Sequence, residues 1–103
     1  MDEPVFLARR ATLEDLPALR ELWQQEQFDA NTLEKRITDF QVAYDAEGTI
    51  FAAIGMHREG EQGVVHSESF KDFGLADQLR GLIWERFKTI AKNFAMARVW
   101  MLD

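Results

Sequence analysis

The 103-residue sequence contains no cysteine and only two histidines, His57 and His66. The absence of cysteine excludes disulfides and thiolate chemistry. Two histidines are too few for an all-protein zinc site unless carboxylates assist them. We therefore predict neither a redox role nor a metal site.

Long apolar runs are also missing, since no stretch approaches the roughly 20 apolar residues that span a bilayer. The acidic start, residues 1–4, lacks the basic and apolar regions of a signal peptide. We predict no membrane partner and a cytoplasmic location. Positive charge is scarce too: the net charge of −6 would repel a phosphate backbone. Nucleic acid is not a predicted partner.

The remaining composition is that of an ordinary globular protein, with 47% hydrophobic and 29% charged residues. The length is sufficient for one compact core. The sequence therefore predicts a single domain over residues 1–103.

The first third of the chain predicts a strand followed by two helices. The strand covers residues 5–11, and Thr12 can cap the helix that follows, with Pro17 in its first turn. Apolar side chains recur at helical spacing on one face of that helix. They are Leu16, Leu19, Leu22 and Trp23. Asp29 or Asn31 can cap a second, shorter helix over residues 32–37.

The middle of the chain predicts an antiparallel meander of three strands, over residues 40–44, 49–56 and 64–70. The first two strands flank an acidic turn in which Gly48 can supply a positive φ. A second polar turn covers residues 58–63. The middle strand is nearly all apolar from Ile50 to Ile54, so we expect it at the centre of the sheet.

A long amphipathic helix is predicted from Leu75 onward, followed by a final strand over residues 97–102. The apolar positions of the helix are three and four residues apart. They are Leu79, Leu82, Ile83, Phe87, Ile90, Ala91 and Phe94. A helix between two strands is typical of a crossover to a parallel neighbour. The predicted order is β-α-α-β-β-β-α-β, an α+β fold with one mixed sheet.

This order, ending after a fifth strand, resembles the first two thirds of the GNAT superfamily of N-acetyltransferases. Residues 9–16, Arg-Arg-Ala-Thr-Leu-Glu-Asp-Leu, are similar to the family's opening of first strand into first helix. Residues 42–55 are similar to its second and third strands. The most diagnostic segment is Lys71-Asp72-Phe73-Gly74-Leu75-Ala76. It resembles the turn with which the family binds the pyrophosphate of acetyl-CoA.

The resemblance implies acetyl-CoA as co-substrate, held at the end of the fourth strand and in the turn after it. The residues implied are Ser69, Phe70, Lys71, Asp72, Phe73, Gly74, Leu75 and Ala76. Small residues at Gly74 and Ala76 let the backbone approach an anion at a helix start. Three positions depart from the family pattern. Lys71 replaces Arg or Gln, Asp72 places a carboxylate beside the expected pyrophosphate, and Phe73 replaces a usual basic or polar residue.

The resemblance also implies transfer of an acetyl group to an amine, of a small molecule or of a protein. In the family a carboxylate or histidine of the fourth strand often acts as the base, so the candidates are Glu68 and His66. The family's usual acid is a tyrosine after the fifth strand. The only tyrosine here, Tyr44, lies in the second predicted strand and does not correspond to it.

The final predicted strand carries Val99, Trp100, Met101 and Leu102, which would form an open, apolar sheet edge. We expect a second copy of the chain to cover it, giving a homodimer. Two alternatives to an active enzyme stay open. The first is a catalytically silent GNAT-like module that forms a dimer or contacts a partner protein. The second is one part of a split enzyme.

Overall fold

The computed structural model describes residues 5–93 and, for the backbone, residues 98–101. Within these residues five strands and three α-helices follow the predicted order, which confirms the α+β assignment. The elements are β1 Leu7–Arg10, α1 Leu16–Gln25, α2 Ala30–Glu34, β2 Phe40–Tyr44, β3 Ile50–Glu59, β4 Gln62–Phe70, α3 Ala76–Asn93 and β5 Arg98–Met101. Short 3₁₀ turns occupy Leu13–Asp15, Ile37–Asp39 and Phe73–Leu75.

The strands form one mixed sheet in the order β1-β2-β3-β4-β5. The pairs from β1 to β4 are antiparallel, and β5 runs parallel to β4. The prediction of a central third strand and a parallel fifth strand is therefore confirmed. The crossover from β4 to β5 passes through α3, as parallel neighbours require.

Helices cover both faces of the sheet, and each face has its own core. On the side that we call the α1 face, Trp23 is fully buried and its ring lies 5.1 Å from that of Phe40. On the opposite side, the α3 face, Ile83 and Phe87 pack in one cluster with Ile54. Because successive strand residues point to opposite faces, Ala53 faces α1 while its neighbour Ile54 faces α3.

Several element boundaries differ from the sequence prediction. The first strand is shorter, Leu7–Arg10 rather than residues 5–11. The second helix begins earlier, at Ala30, because the Asp29 carboxylate accepts the N–H groups of Asn31 and Thr32 at 3.1 and 3.3 Å. Of the two predicted caps, Asp29 is the one used.

The two hairpin turns illustrate how glycine sets strand length. Gly48 has the predicted positive φ of 85°. Gly60 also has a positive φ, 60°, which allows a tight turn. Strands β3 and β4 therefore extend to Glu59 and Gln62, and only two residues separate them where a turn over residues 58–63 was predicted.

The long helix α3 begins at Ala76, one residue later than predicted, because a 3₁₀ turn precedes it. The predicted apolar position Phe94 and residues 97 and 102 of the final strand lie outside the described residues. No helix among the described residues is long and apolar enough to cross a membrane.

Candidate acyl-transfer site

Strand β4 contains a β-bulge at its centre. His66 pairs with Gly55 and Ser69 pairs with Ala53, so two residues of β4 lie opposite Ile54 alone. Ser67 has a φ of 57°, an uncommon conformation for a residue with a side chain. Such a bulge bends its strand and interrupts the regular ladder.

The bulge lies just beyond the described pairing of β4 with β5. Strand β5 pairs with Gln62–Val65 of β4, and its last described partner is Met101 opposite Val65. Beyond the bulge, Ser69 and Phe70 pair with β3. Over residues 67–70 the other edge of β4 has no neighbouring strand within the described part of the chain. We call this edge of β4, residues 67–70, the β4–β5 wedge.

The two candidate bases of β4 lie on opposite faces of the sheet. Two residues that are two apart on a regular strand share a face. The extra bulge residue reverses this for His66 and Glu68. The His66 ring packs edge-on against Phe40 of the α1 face, while Glu68 contacts Arg80 of α3. The structure therefore does not bring the two candidates together.

Glu68 is held by a two-point ion pair. Arg80 donates to Oε2 from Nε at 2.7 Å and to Oε1 from Nη2 at 3.3 Å. The same guanidinium donates to Asp77 at 3.2 Å and lies over the Phe70 ring, 5.3 Å from its centre. Hydrogen bonding to Glu68 is the main reason that the pKa of Arg80 is raised above its usual value. The ion pair fixes the carboxylate beside the bulge.

His66 uses both of its ring nitrogens within the protein. Nε2 lies 3.1 Å from Oδ2 of Asp39, and Nδ1 lies 3.0 Å from the hydroxyl of Ser67. Gly55 lies directly beneath the ring, because a Cβ on that glycine would come within 2.6 Å of it. The imidazole is therefore closely confined.

The turn after β4, which was predicted to bind pyrophosphate, opens α3 through a 3₁₀ turn, and three of its N–H groups already have partners within the turn. The Asp72 carboxylate accepts the N–H of Gly74 at 2.9 Å. The N–H of Leu75 bonds to the Asp72 carbonyl at 3.0 Å, and that of Ala76 bonds to the Phe73 carbonyl. An incoming phosphate would have to displace the Asp72 carboxylate to reach Gly74.

The other predicted cofactor residues differ in exposure. Ser69 is fully buried, and its hydroxyl has no hydrogen-bond partner among the described residues. Phe70 is also buried, in the core of the α3 face. Phe73 is 73% exposed, and the Lys71 ammonium lies 5.3 Å from the centre of the Phe51 ring.

A cavity of about 340 Å³ lies between α1 and the start of β3, with Lys71 at its border. Glu14, Asp15 and Glu21 make part of its wall acidic. Asp15 is paired with Arg9 at 2.7 and 2.9 Å, and hydrogen bonding from Arg9 is the main reason that its pKa is lowered.

Sequence reasoning did not identify Asp39 or Arg80 as partners of the candidate bases. Asp39 is 27 residues from His66, and Arg80 is 12 residues from Glu68. Neither spacing belongs to a local motif. Asp39 also lies close to His57. Together with His66 these two residues could hold a metal ion, whereas the sequence predicted no metal site.

The fold is that of the GNAT acetyltransferases. The chain superposes on Rv2747 from Mycobacterium tuberculosis, solved with CoA, with a TM-score of 0.80 at 21% identity. It superposes on the PaiA N-acetyltransferase from Thermoplasma acidophilum, solved with coenzyme A, with a TM-score of 0.70 at 16% identity. For a GNAT-family acetyltransferase from Staphylococcus aureus Mu50 the values are 0.75 and 13%.

These alignments cover most of this chain and a smaller part of the others. They include 93% of this chain and 63% of Rv2747, 89% and 75% for PaiA, and 96% and 74% for the Staphylococcus protein. No protein-family model matches the sequence, and no curated protein matches it significantly. At these identities the likeness establishes the fold alone.

Proposed function

We propose that the chain is an acetyl-CoA-dependent N-acetyltransferase that transfers the acetyl group to an amine. The observation that carries the proposal is the bulge at Ser67, which lies between the described pairing of β4 with β5 and the turn that opens α3. Among the described residues this places an unpaired strand edge next to a helix start. Two of the structurally similar proteins described above were solved with CoA.

The wedge and the turn offer different donors to different parts of acetyl-CoA. An unpaired strand edge can bind an extended, amide-containing ligand through backbone hydrogen bonds. The pantetheine arm of CoA is such a ligand. The N-terminus of α3, an 18-residue helix, favours a negative charge and suits the pyrophosphate. In this assignment Gly74 and Ala76 hold the phosphates, and Asp72 weakens their binding.

We assign the base to Glu68 rather than to His66. A carboxylate oxygen retains a lone pair after it accepts one hydrogen bond, whereas a neutral imidazole has a single lone pair on one of its nitrogens. Both nitrogens of His66 already have partners. Glu68 can therefore still accept a proton from an amine, directly or through one water.

The transfer balances without a further reagent. The amine nitrogen attacks the thioester carbonyl carbon, a C–N bond forms and the C–S bond breaks. Glu68 takes the amine proton, and the departing CoA thiolate takes a proton from water. Tyr44 has no part in this step. It lies in β2, where the Arg9 guanidinium covers the Tyr44 ring at 5.1 Å from the ring centre.

The test is CoA release from acetyl-CoA in the presence of a panel of primary amines. A thiol reagent can follow the reaction directly, since the protein contains no cysteine to react. Loss of a general base typically costs about 10²–10⁴-fold in rate. We expect a loss in this range for Glu68→Gln, with acetyl-CoA affinity retained. Full turnover by Glu68→Gln would remove Glu68 from the mechanism, and no turnover with any amine would count against the enzyme.

Glu85→Gln is the matched control for that variant. It makes the same chemical change on α3, where Glu85 pairs with Lys88 at an exposed position. Turnover of Glu85→Gln should equal that of the wild type. His66→Asn tests the second candidate base. A loss of turnover as large as that of Glu68→Gln would assign the role of base to His66.

A second candidate function, a catalytically silent homodimeric module, is favoured by the hydrogen bond that the Gly74 N–H donates to the Asp72 carboxylate. That contact fills the place where phosphate would bind. In this proposal β5, which pairs with β4 alone among the described residues, continues the sheet into a second copy. Light scattering at micromolar concentration tests the dimer. A mass of one chain would contradict it.

A further inference from the structure

Asp39, His57 and His66 converge from three segments of the chain. Asp39 ends the 3₁₀ turn before β2, His57 lies in β3 and His66 in β4. One ligand atom from each of the three lies within 4.8 Å of the others. We propose that these residues form a binding site for a divalent transition metal of the zinc class, separate from the acyl-transfer site.

The free nitrogen of His57 is the observation that points to a cation. Its Nε2 lies 2.9 Å from a carboxylate oxygen of Glu59. Because that carboxylate accepts hydrogen bonds, Nε2 carries the proton, and Nδ1 of the neutral ring presents a lone pair. Nδ1 is buried and has no partner among the described residues. A buried, unpaired acceptor is costly unless something binds it.

The outer contacts of both rings match those of metal-bound histidines. Such a histidine usually directs its other nitrogen at a carboxylate, a carbonyl or water, which fixes the ring orientation. Glu59 does this for His57, and the Ser67 hydroxyl, 3.0 Å from Nδ1, can do so for His66. In this arrangement Nδ1 of His57 and Nε2 of His66 are the ligand atoms, and the proton that Nε2 of His66 shares with Asp39 moves to Nδ1, which then donates to the Ser67 hydroxyl when a metal binds.

Asp39 supplies the third ligand. Its two contacts within the described residues, to His66 at 3.1 Å and to Arg36 at 3.5 Å, both involve Oδ2. Oδ1 is therefore available to a cation. Arg36 is a competing positive charge, but it is 46% exposed and can turn toward solvent.

The geometry requires only small movements. Two ligand atoms that are each about 2.1 Å from a tetrahedral zinc ion lie about 3.4 Å apart. One ligand atom from each of the three residues lies within 4.8 Å of the other two before any ion binds. The side chains of Asp39, His57 and His66 are 17%, 19% and 11% exposed, so an ion can reach them. A cavity of about 220 Å³ adjoins Asp39 and His57.

The ligand set selects the metal class. Two imidazole nitrogens and one carboxylate oxygen suit Zn²⁺, Co²⁺, Ni²⁺ or Cu²⁺, whereas Mg²⁺ and Ca²⁺ prefer sites made of oxygen. Three protein ligands leave a fourth position for water. No step of the proposed acetyl transfer passes through this site, so either proposal can fail alone.

The test is calorimetric titration of the EDTA-treated, dialysed chain with ZnCl₂, in the absence of acetyl-CoA, with Co²⁺ absorption as the spectroscopic probe. We expect saturable binding of one ion per chain and visible Co²⁺ bands. His57→Ala should weaken Zn²⁺ binding by more than about 100-fold, and Glu59→Gln by about 10–100-fold. The chain has two histidines and no cysteine, so imidazole ligation has no other source.

Glu47→Gln is the matched control for Glu59→Gln, because Glu47 is an exposed acid in the β2–β3 turn. Its Zn²⁺ affinity should equal that of the wild type. If His57→Ala is unfolded by circular dichroism, Asp39→Asn replaces it with the same expectation of weaker binding. The proposal is overturned by absence of saturable Zn²⁺ binding, or by binding that is unchanged in folded His57→Ala or Asp39→Asn.

Discussion

His66 and Glu68 are two residues apart on one strand, yet their surroundings differ because the bulge at Ser67 sends them to opposite faces. On the α1 face, His66 is confined by Gly55 and Phe40 and bonded to Asp39. On the α3 face, Glu68 is held by a two-point ion pair with Arg80. One extra strand residue can therefore separate a confined imidazole from a carboxylate that can still accept a further hydrogen bond.

The largest expected effect comes from filling the space beneath His66. Gly55→Val should destabilise the fold by about 3 kcal/mol, the upper part of the usual range for overpacking. A Cβ at this position would lie 2.6 Å from the ring. Chemical denaturation measures the change. If Gly55→Val is as stable as the wild type, the His66 ring is not confined, and the stated difference between His66 and Glu68 is wrong.

Gly81→Ala is the control for that substitution. Gly81 lies in α3, and a Cβ there meets no atom within 4 Å. Alanine in a helix interior is favoured over glycine by roughly 0.5–1 kcal/mol. The control should therefore shift stability in the opposite direction to Gly55→Val.

The next effect concerns a second polar contact on the α1 side, the Arg9–Asp15 pair. Asp15 is buried and receives two hydrogen bonds from Arg9. Asp15→Asn should cost about 1–2 kcal/mol near neutral pH, because the Arg9 guanidinium loses its charged partner. The loss stays in this range because the Arg9 side chain is 37% exposed and solvent screens the pair. Urea denaturation of both proteins measures the difference.

Acid should remove that difference. The folded-state pKa of Asp15 is lowered below its usual 3.8, chiefly by hydrogen bonding from Arg9. The contribution of the ionised Asp15 to the free energy of unfolding is therefore present above about pH 4, and it is lost as pH falls through the folded-state pKa. We expect the wild type and Asp15→Asn to converge below that value. A gap that stays constant down to about pH 2 would contradict this.

A smaller effect is expected at the start of α3. Asp72→Ala removes the acceptor for the Gly74 N–H and should cost about 1 kcal/mol of stability, whereas Asp72→Asn keeps an acceptor and should be nearly neutral. Asp72→Asn should also tighten CoA binding about fivefold, because like charges about 4 Å apart repel by roughly 1 kcal/mol even in water. Unchanged affinity would place the phosphates elsewhere.

The smallest effect is the stability change at Arg80. Arg80→Met keeps a stem that can pack on Phe70 but removes the ion pair to Glu68. Partly exposed pairs contribute about 0.2–1 kcal/mol, so we expect a loss of about 0.5 kcal/mol. A double-mutant cycle with Glu68→Gln measures the coupling. A coupling energy above about 2 kcal/mol between Arg80 and Glu68 would mean that Glu68 is held as tightly as His66.

Local patterns in the sequence predicted most of the fold. The 3.6-residue spacing of Leu79, Ile83 and Phe87 predicted α3, and the apolar run of Ile50 to Ile54 predicted the central strand. Boundaries were wrong where a single backbone angle decides them, as at Gly60. No residue type in the sequence predicted the bulge, because the positive φ of Ser67 depends on the pairing of β4 with β3.

The candidate site was less predictable than the fold for a related reason. The motif over residues 71–76 was visible in sequence, but the Asp72 carboxylate on the Gly74 N–H is a local conformation that the motif does not specify. The partners of His66 and Glu68 come from Asp39 and Arg80, which tertiary packing brings near. The separation of His66 from Glu68 follows from the bulge and was equally hidden.

Calorimetric titration with acetyl-CoA at low salt, on the wild type and on Gly74→Trp, shows whether the turn that opens α3 binds the cofactor. We expect saturable, micromolar binding to the wild type and clearly weaker binding to Gly74→Trp, because the larger side chain would cover that turn. Absence of heat and of thermal stabilisation at millimolar acetyl-CoA, or equal affinity of the two proteins, would mean that acetyl-CoA does not bind there.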